Sequence, residues 1–465
     1  MQRLKLHISF RHKSLFNILV IINPVPRTNT HILRNWVCYP GFIRLSKNKF
    51  KMKLLFILII NLLLALNPIC QAQNESDFQF GADQLISEYL HHIKNKKLGV
   101  VTNHTAVLSN GVHLVDTLYS LKEIKINALF GPEHGIRGDN AAGSTIENGI
   151  DSKTGIPVYS LYGKDRKPTK EMLKDVEVLV FDIQDVGARF YTYISTLFYI
   201  VQAAAENNIR LIVLDRPNPI NGIYVDGPIR KPKLNSFVGI APIPITHGMT
   251  VGELAQYFVG ERLIGNNLKV DLKIIKMKNW DRNLFYDSFQ SSWVKPSPNI
   301  PSLDAAIAYP GTCLIEGTNI SEGRGTDSPF LTVGAPFINS RELVQELNKQ
   351  CVEGINFDSI SFTPIEIPGV AINPKYKNEN CYGVKIKITD RDKFESVKFG
   401  IKLISTLHKL YPNHFKFRDD SFDRLSGERS IRLKILDEFS VEEIIKFYQI
   451  ELNDFKEIRK KYLLY

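Results

Sequence analysis

Four runs of consecutive apolar residues, each rich in β-branched side chains, alternate along the chain with segments of helical periodicity. Between the third and fourth runs, Tyr191 to Asn207 repeats its apolar residues at helical spacing. Continuous apolar strands separated by helices indicate a parallel sheet that is covered on both faces. The pattern predicts an α/β fold, with a Rossmann-like, doubly wound parallel sheet in a domain over residues 78–330. The four predicted strands span residues 98–103, 124–130, 176–182 and 209–215.

The pattern changes in the last third of the chain. Residues 341–351, 397–411 and 441–452 have the apolar spacing of amphipathic helices, and residues 384–389 alternate as a strand. Residues 456–465 are basic and also helical in pattern, which is typical of a solvated helix face. We therefore expect a second, smaller α/β domain over residues 331–465.

The net charge of +11 is confined to the start of the chain. Residues 1–53 hold eleven Lys or Arg and no Asp or Glu, and residues 54–72 carry no charge. The remainder has 48 basic and 48 acidic residues. A balanced charge gives no indication of a phosphate-binding surface, so we expect no nucleic-acid partner.

Residues 52–72 have the pattern of a signal peptide. Basic residues 49–53 precede an apolar run over residues 54–66, and small residues end at Ala72. We predict cleavage after Ala72 and export to the periplasm or the medium. The apolar run is too short for a stable membrane span. Residues 1–51 are then an extra or spurious leader ahead of Met52. Cys70 suggests a lipid anchor, but the preceding Asn-Pro-Ile fits a lipoprotein poorly.

Each of the four predicted strands is followed by polar side chains. Because the carboxyl ends of parallel strands meet at one edge of a sheet, we expect these side chains to form one ligand-binding site. Asp182 could instead cap a helix, as could Asp215. The polar residues in question are Asn103; Glu133, His134 and Arg137; Asp182, Gln184, Asp185, Arg189 and Tyr191; and Arg216 with Asn218.

The turn after the second strand places Glu133 where a catalytic acid could meet a substrate. Gly131, Pro132 and Gly135 force the chain to turn there. The alternative is a surface loop in which Glu133 and Arg137 pair with each other.

Residues 309–326 form a second polar stretch, with four glycines. Such a segment is expected to wrap a polar ligand rather than build a core, the alternative being a flexible surface loop. The candidate ligand-binding side chains there are Glu316, Asn319, Glu322 and Arg324. Two isolated candidates are His247, which is more often structural in such a setting, and Asn299, which lies in a Pro-rich linker or cleft wall.

Sequence signals for cofactors are absent. The first strand is not followed by a Gly-x-Gly-x-x-Gly turn, and no Gly-Lys-Ser/Thr phosphate loop occurs. No Cys-x-x-Cys occurs, and His134, His247, Asp182 and Asp185 lack a recognisable metal-ligand spacing. We expect no metal and no cofactor.

Six long motifs resemble the exo-β-N-acetylmuramidases, a family once described only as a domain of unknown function. The likeness extends over nearly all of residues 78–465. The resemblance implies a Rossmann-like domain and a smaller α/β domain with the site between them. It also implies removal of N-acetylmuramic acid from the non-reducing end of peptidoglycan fragments, with muropeptides or disaccharides as partners. At position 337 this sequence has Phe, where the family resemblance leads us to expect Trp. The motifs are VTNHTA (101–106), FGPEHGIRG (130–138), FDIQDVGARFYTYISTL (181–197), LDRPNPI (214–220), THGMT (246–250) and AYPGTCLIEGTNISEGRGT (308–326).

Glycoside hydrolysis needs an acid for the leaving oxygen and a second group for the anomeric carbon. Glu133 is our candidate acid, with His134 orienting it. The second group is Asp182, Asp185, Glu316, Glu322 or the substrate's own N-acetyl group. The lactyl carboxylate of muramic acid calls for an arginine. The candidates are Arg189, Arg216 and Arg324, with Arg137 behind them.

Two other classes of function remain open at this point. One is a non-catalytic muropeptide-binding protein of the cell envelope. The other is a metal-dependent or serine hydrolase of a wall ester or amide. The absence of a Gly-x-Ser-x-Gly elbow weakens the serine version.

Overall fold

A computed structural model describes residues 78–138, 148–289 and 291–465. The predicted leader and signal peptide lie outside these residues. The described residues form a seven-stranded sheet in the order β3-β4-β2-β1-β5-β6-β7, in which only β3 is antiparallel to its neighbour. The strands are β1 Lys97–Thr102, β2 Lys125–Gly131, β3 Gly149–Ile150, β4 Pro157–Ser160, β5 Val178–Asp182, β6 Arg210–Leu214 and β7 Leu272–Ile275.

The strand order is that of a Rossmann-like sheet. From the central β1 the chain builds outward through β2 and β4, and it then crosses to β5 and builds through β6 and β7 on the other side. Both central strands are fully buried apart from Lys97. The predicted α/β class and doubly wound sheet are confirmed. In such a sheet the ligand crevice lies where the order reverses, which here is between the carboxyl ends of β1 and β5.

Four α-helices lie within the described residues up to the end of β7: α1 Gly81–Ser87, α2 Leu114–Ser120, α3 Thr192–Asn207 and α4 Val251–Gly260. Most of α3 is buried, because its apolar and Ala-rich sequence has almost no polar face. It ends at Asn208, which has the left-handed conformation of a helix C-terminus. A capping box formed by Thr250 and Glu253 starts α4.

The C-terminal region contains a separate three-stranded antiparallel sheet in the order β8-β10-β9. Its strands are β8 Thr332–Ala335, β9 Ile355–Phe362 and β10 Cys381–Ile388. The helices of this region are α5 Leu303–Thr312, α6 Ser340–Lys349, α7 Ser396–Leu410, α8 Asp419–Ser426, α9 Arg429–Leu436 and α10 Val441–Arg459. The described residues belong to one compact unit, and the domain boundary at residues 330 and 331 stays a prediction.

One sequence-based prediction about local structure is wrong. The start of the 309–326 stretch does build core, since α5 continues to Thr312 through Pro310 and its neighbours are buried. Gly311 allows α5 to cross α7 closely. The prediction of a basic helix over residues 456–465 holds as far as Tyr462, because α10 ends at Arg459 and a 3₁₀ turn follows over Lys460–Tyr462. The last three residues lie outside the helix, and Tyr465 donates a hydrogen bond to Asp215.

Two further features concern the described residues as a whole. Their helices include none with the length and apolar character needed to cross a membrane. Cys313, Cys351 and Cys381 are free thiols.

The crossing of α5 and α7 gives a test of the packing. A Cβ atom at Gly400 would lie 2.4 Å from the carbonyl oxygen of Gly311 and 2.6 Å from its Cα. We expect Gly400→Ala to lower the free energy of unfolding by about 1–2 kcal/mol, because overpacking of about 1–3 kcal/mol outweighs the gain in helix propensity. Gly149→Ala is the control, since a Cβ there meets nothing within 4 Å. Urea unfolding of both variants measures the effect, and equal stabilities would contradict the close crossing.

Candidate active site

A tight turn directly after β2 presents Glu133. The amide of Gly135 donates to the carbonyl of Pro132 at 3.0 Å, and His134 and Gly135 have φ values of +73° and +72°. A positive φ is uncommon for a residue with a side chain and is found most often where function requires it. The turn thus fixes Glu133 at its second position, at the carboxyl edge of the sheet.

The Glu133 carboxylate is half-buried and held by residues of two other segments. The Thr192 hydroxyl donates to Oε2 of Glu133 at 3.0 Å. Because Thr192 is the first residue of α3, the carboxylate also lies near a helix N-terminus, where negative charge is favoured. The Tyr162 hydroxyl interacts with the same carboxylate, and burial together with the Glu133 charge raises the pKa of Tyr162 to about 12.

Two buried tyrosines connect Glu133 with Asp185. The rings of Tyr191 and Tyr193 meet edge to face with centroids 4.9 Å apart. Burial raises the pKa of both hydroxyls, and the charges of Glu133 and Asp185 raise it further. Both carboxylates are therefore near enough to the two hydroxyls for their charges to raise the pKa values. The Tyr191 hydroxyl has no hydrogen-bond partner among the described residues.

Asn103 and Asp185 lie at the ends of β1 and β5, where the strand order reverses. The backbone amide of Gln184 donates to the Thr105 hydroxyl at 3.0 Å, which joins the loop after β5 to the loop after β1. The Asn103 side chain accepts from Thr105, and Oδ2 of Asp185 accepts from the Gly187 amide at 2.7 Å. Within the described part of the chain, Nδ2 of Asn103 and Oδ1 of Asp185 have no partner although both are buried. A donor and an acceptor are therefore available to a ligand.

His247 lies beside Asp185 as a neutral side chain. Its Nδ1 accepts from the Met249 amide at 3.1 Å, so the neutral ring carries its proton on Nε2, which is 4.0 Å from Oδ2 of Asp185. Burial lowers the pKa of His247 to about 3, and two arginine charges add to this effect. Burial raises the pKa of Asp185 to about 7.

Asp182 and Arg216 form an ion pair at the centre of the same edge. Both side chains are fully buried, and Nη2 of Arg216 donates to Oδ2 of Asp182 at 2.9 Å and to the Val107 carbonyl at 3.0 Å. The guanidinium lies 4.8 Å from the centre of the Phe80 ring. These contacts favour a structural role, because they tie β5, β6 and the loop after β1 together. Asp182 does not act as a helix cap, whereas Asp215 does so by accepting from the Gly252 amide at 2.8 Å.

Two further arginines form hydrogen bonds or ion pairs with other residues of the protein. Arg189 is buried and donates to the carbonyls of Pro228, Ile243 and Leu425, and burial lowers its pKa to about 9. Arg137 pairs with Asp116 at 2.8 Å and Asp151 at 2.9 Å, not with Glu133 as one interpretation of the turn allowed.

Several amide side chains that were predicted to bind the ligand already form hydrogen bonds within the fold. Each donates or accepts within the fold, and their contact with substrate stays a prediction. Gln184 donates to the Asp185 and Pro217 carbonyls, Asn218 to Met249, Asn299 to Val370 and Asn319 to His414. Among the described residues, the side-chain oxygens of Gln184 and Asn299 lack a partner. His134 is buried beside Glu133 in the chain.

The remaining candidates line a cavity of about 320 Å³. Nη2 of Arg324 donates to Glu316 at 2.7 Å, and Nε of Arg324 lies 3.4 Å from Glu322. Nζ of Lys375 lies 3.1 Å from Glu322. The volume is in the range of small-molecule sites. The polar stretch thus lines a cavity, although its first part is helical, and its contact with a ligand stays a prediction.

Aromatic side chains connect this cavity with Glu133. The Tyr309 ring lies 6.0 Å from Tyr191 and 4.7 Å from Phe330, and the Arg324 guanidinium lies 5.2 Å from Phe330. On the other side, the Phe237 ring lies 6.0 Å from Tyr162, and Val238 lines the cavity. Ring contacts therefore run from the cavity lining to Tyr191 and Tyr162, and the Glu133 charge raises the pKa of both hydroxyls.

The sequence analysis missed several residues of this region. Thr192, Tyr193 and Tyr309 lie inside motifs that it used, so their motif membership was a signal for their role. Tyr162 and Lys375 follow no pattern that marks them. The described residues contain no group of three or more His, Cys, Asp or Glu side chains arranged to hold a metal ion.

Comparisons with known proteins agree with the motifs. Residues 98–304 match the family described as "Exo-beta-N-acetylmuramidase NamZ, N-terminal", and residues 307–465 match its C-terminal counterpart. A "Peptidoglycan beta-N-acetylmuramidase NamZ" of Bacillus subtilis (strain 168) is 49% identical over 396 residues, covering 85% of this chain and 93% of that protein.

Two crystal structures of DUF1343 family proteins from Bacteroides fragilis NCTC 9343 have similar folds. One is 34% identical with a TM-score of 0.77 and covers 84% of this chain and 100% of its own. The other is 36% identical with a TM-score of 0.69 and covers 84% of this chain and 99% of its own.

The environment of Asp185 predicts a pH-dependent stability. The folded state retains the proton of Asp185 up to a pH of about 7, whereas an unfolded aspartate loses it near a pKa of about 3.9. This contribution to stability is fully present below a pH of about 4 and is lost as the pH rises through about 7. We therefore expect Asp185→Asn, which cannot ionise, to gain stability relative to wild type as the pH rises from 5 to 8.

Thermal unfolding of wild type and Asp185→Asn at both pH values measures this difference. The buried Asp215 is present in both proteins, so its effect cancels. Asp454→Asn, at an exposed position, is the matched control and should track wild type. A stability difference between Asp185→Asn and wild type that is the same at both pH values would contradict the described burial.

Proposed function

This chain belongs to the exo-β-N-acetylmuramidase family, and on that premise we propose that it is an exo-acting glycoside hydrolase that releases N-acetylmuramic acid from the non-reducing end of peptidoglycan fragments. The observation that carries the proposal is the position of Glu133. It is a half-buried carboxylate at the carboxyl edge of the sheet, held in place by the Thr192 hydroxyl.

Glu133 acts as the general acid. Cleavage of a glycosidic bond requires a proton on the leaving oxygen, and a carboxyl group in a fixed position supplies it. The tight turn and the Thr192 hydroxyl restrict where the carboxyl group can point, so its orientation is set before the substrate binds.

Asp185 is the second carboxylate. In both the direct and the substrate-assisted route, this group lies beside the anomeric centre and its acetamido neighbour. Asp182 is bound to Arg216, and Glu316 and Glu322 are bound to Arg324 and Lys375. Of these four candidates, Asp185 is the one whose charge, like that of Glu133, raises the pKa of Tyr191, and its buried Oδ1 has no partner within the described residues.

The cellular role belongs to the same proposal. Residues 52–72 direct export to the periplasm or the medium, which is where peptidoglycan fragments are found, and a lipid anchor at Cys70 is less favoured. Release of N-acetylmuramic acid there serves recycling of the cell wall. The basic n-region, apolar run and small residues of the sequence support export.

Replacement of Glu133 tests the reaction and the acid together. We expect wild type to release the chromophore from a chromogenic N-acetylmuramide, also in the presence of a chelator. We expect Glu133→Gln to lower kcat by about 10²–10⁴-fold with little change in KM, because the amide cannot donate the proton. Steady-state kinetics measures both parameters.

Glu171→Gln is the control, since it makes the same change at an exposed site. Full turnover by Glu133→Gln would move the acid to another carboxylate. No turnover by any of the folded proteins would contradict the hydrolase and favour a muropeptide-binding protein.

A further inference from the structure

We propose that Arg418 and Arg424, at the mouth of the cavity that contains Arg324, bind a carboxylate of the substrate. This inference rests on the proposed function, because the ligand is taken to be a muramyl compound. The sequence analysis did not select either residue.

The lining of the cavity carries an excess of positive charge. Four cationic side chains and two carboxylates contribute to it. The two carboxylates are already neutralised inside the cavity, because Arg324 pairs with both and Lys375 pairs with Glu322. The charge that remains uncompensated among the described lining residues belongs to Arg418 and Arg424. The six ionisable lining residues are Glu316, Glu322, Arg324, Lys375, Arg418 and Arg424.

Both guanidinium groups are open to a ligand. Arg418 and Arg424 are exposed, and neither side chain forms a hydrogen bond, ion pair or ring contact with a described residue. The earlier arginine candidates differ in this respect. Arg216 and Arg189 are buried and donate to protein groups, although Nη1 of Arg216 and Nε of Arg189 have no partner among the described residues. Arg137 is held by two aspartates. A substrate carboxylate would have to enter the protein interior to reach Arg216 or Arg189, and it would compete with two aspartates at Arg137.

The backbone that carries the two arginines is fixed. The Arg418 amide donates to the Gly317 carbonyl at 2.8 Å, and a Cβ atom at Gly317 would lie 2.5 Å from the Cα of Phe422. Helix α8 thus packs directly on the turn that carries Glu316. At its other end, the Leu425 carbonyl accepts from Arg189 at 2.7 Å. The helix is anchored on both sides while its arginine side chains project to the cavity mouth.

The chemistry that suits this pair is a carboxylate. Arginine binds carboxylates through two parallel hydrogen bonds, and two adjacent guanidinium groups strengthen the preference for an anion. A muramyl substrate offers this group in two forms. One is the free lactyl carboxylate of the sugar, and the other is a carboxylate of an attached stem peptide. In this proposal one bound substrate extends from Glu133 to the cavity mouth.

Three chromogenic muramides separate these forms. The first carries the free lactyl carboxylate, the second has it amidated with alanine, and the third has it amidated with alaninamide, which leaves no carboxylate. We compare wild type with the double variant Arg418→Gln/Arg424→Gln. The readout is the ratio of kcat/KM for each carboxylate substrate to kcat/KM for the neutral alaninamide substrate.

We expect this ratio to fall by about 10- to 100-fold in the double variant, mainly through KM, which is typical of lost hydrogen bonds to a charged group. A fall for the first substrate identifies the lactyl carboxylate, and a fall for the second identifies a peptide carboxylate. Arg429→Gln is the matched control, because Arg429 is exposed nearby but does not line the cavity. It should keep the wild-type ratios.

Unchanged ratios in the double variant would overturn the inference, and so would an equal loss for all three substrates. A wild type without turnover would contradict the proposed function alone. In that case calorimetric binding of N-acetylmuramic acid and of its alanine amide to wild type and the double variant tests the arginines separately. Equal affinities of the two proteins for each compound would overturn their role.

Discussion

The buried ion pair between Asp182 and Arg216 is the interaction on which the carboxyl edge of the sheet depends. A buried charge is tolerated only when it is paired and hydrogen-bonded, and each partner here compensates the other with no exposed surface. The pair joins the ends of β5 and β6, and the same Nη2 group of Arg216 that donates to Asp182 also holds the loop after β1 through the Val107 carbonyl. The crevice between β1 and β5 therefore has a rigid floor.

This constraint divides the polar residues of the edge into two groups. Asp182 and Arg216 pair with each other, Arg189 donates to backbone carbonyls, and these three residues build the floor of the crevice. The second group is Glu133 and Asp185, whose charges both raise the pKa of the Tyr191 hydroxyl. The first group keeps the second in place, since Arg189 also anchors helix α8 through Leu425. Substrate binding and catalysis therefore depend on the few polar groups that do not hold the fold together.

Sequence periodicity was sufficient for the four central strands of the large sheet but not for the site. The four apolar runs coincide with β1, β2, β5 and β6, because buried parallel strands have a continuous apolar sequence. The short β4 and β7 and the half-exposed β9 were missed, since four to eight residues with mixed burial give no clear period. Strand ends correctly indicated where polar residues converge. They could not show that Arg216 would turn inward to Asp182, because pairing depends on distances that one sequence does not contain.

The C-terminal contribution to the site was the least predictable part. Arg418 and Arg424 lie outside every recognised motif, and they reach the cavity only because Gly317 lets α8 approach the 313–317 turn closely. The motif that contains Gly317 was recognised in the sequence. Helix α8, which packs against Gly317, could not be identified from that motif. Glycines that permit close packing, such as Gly311 against Gly400, determine the geometry here and leave no local pattern that identifies what they contact.

A crystal structure of Glu133→Gln with a bound muramyl disaccharide tests the central claim most directly. The account predicts that the glycosidic oxygen lies within hydrogen-bonding distance, about 3 Å, of the side chain at position 133. It also predicts that the acetamido group of the muramyl residue faces Asp185 and Tyr191. A disaccharide bound with its scissile bond at another carboxylate, away from position 133, would contradict the account.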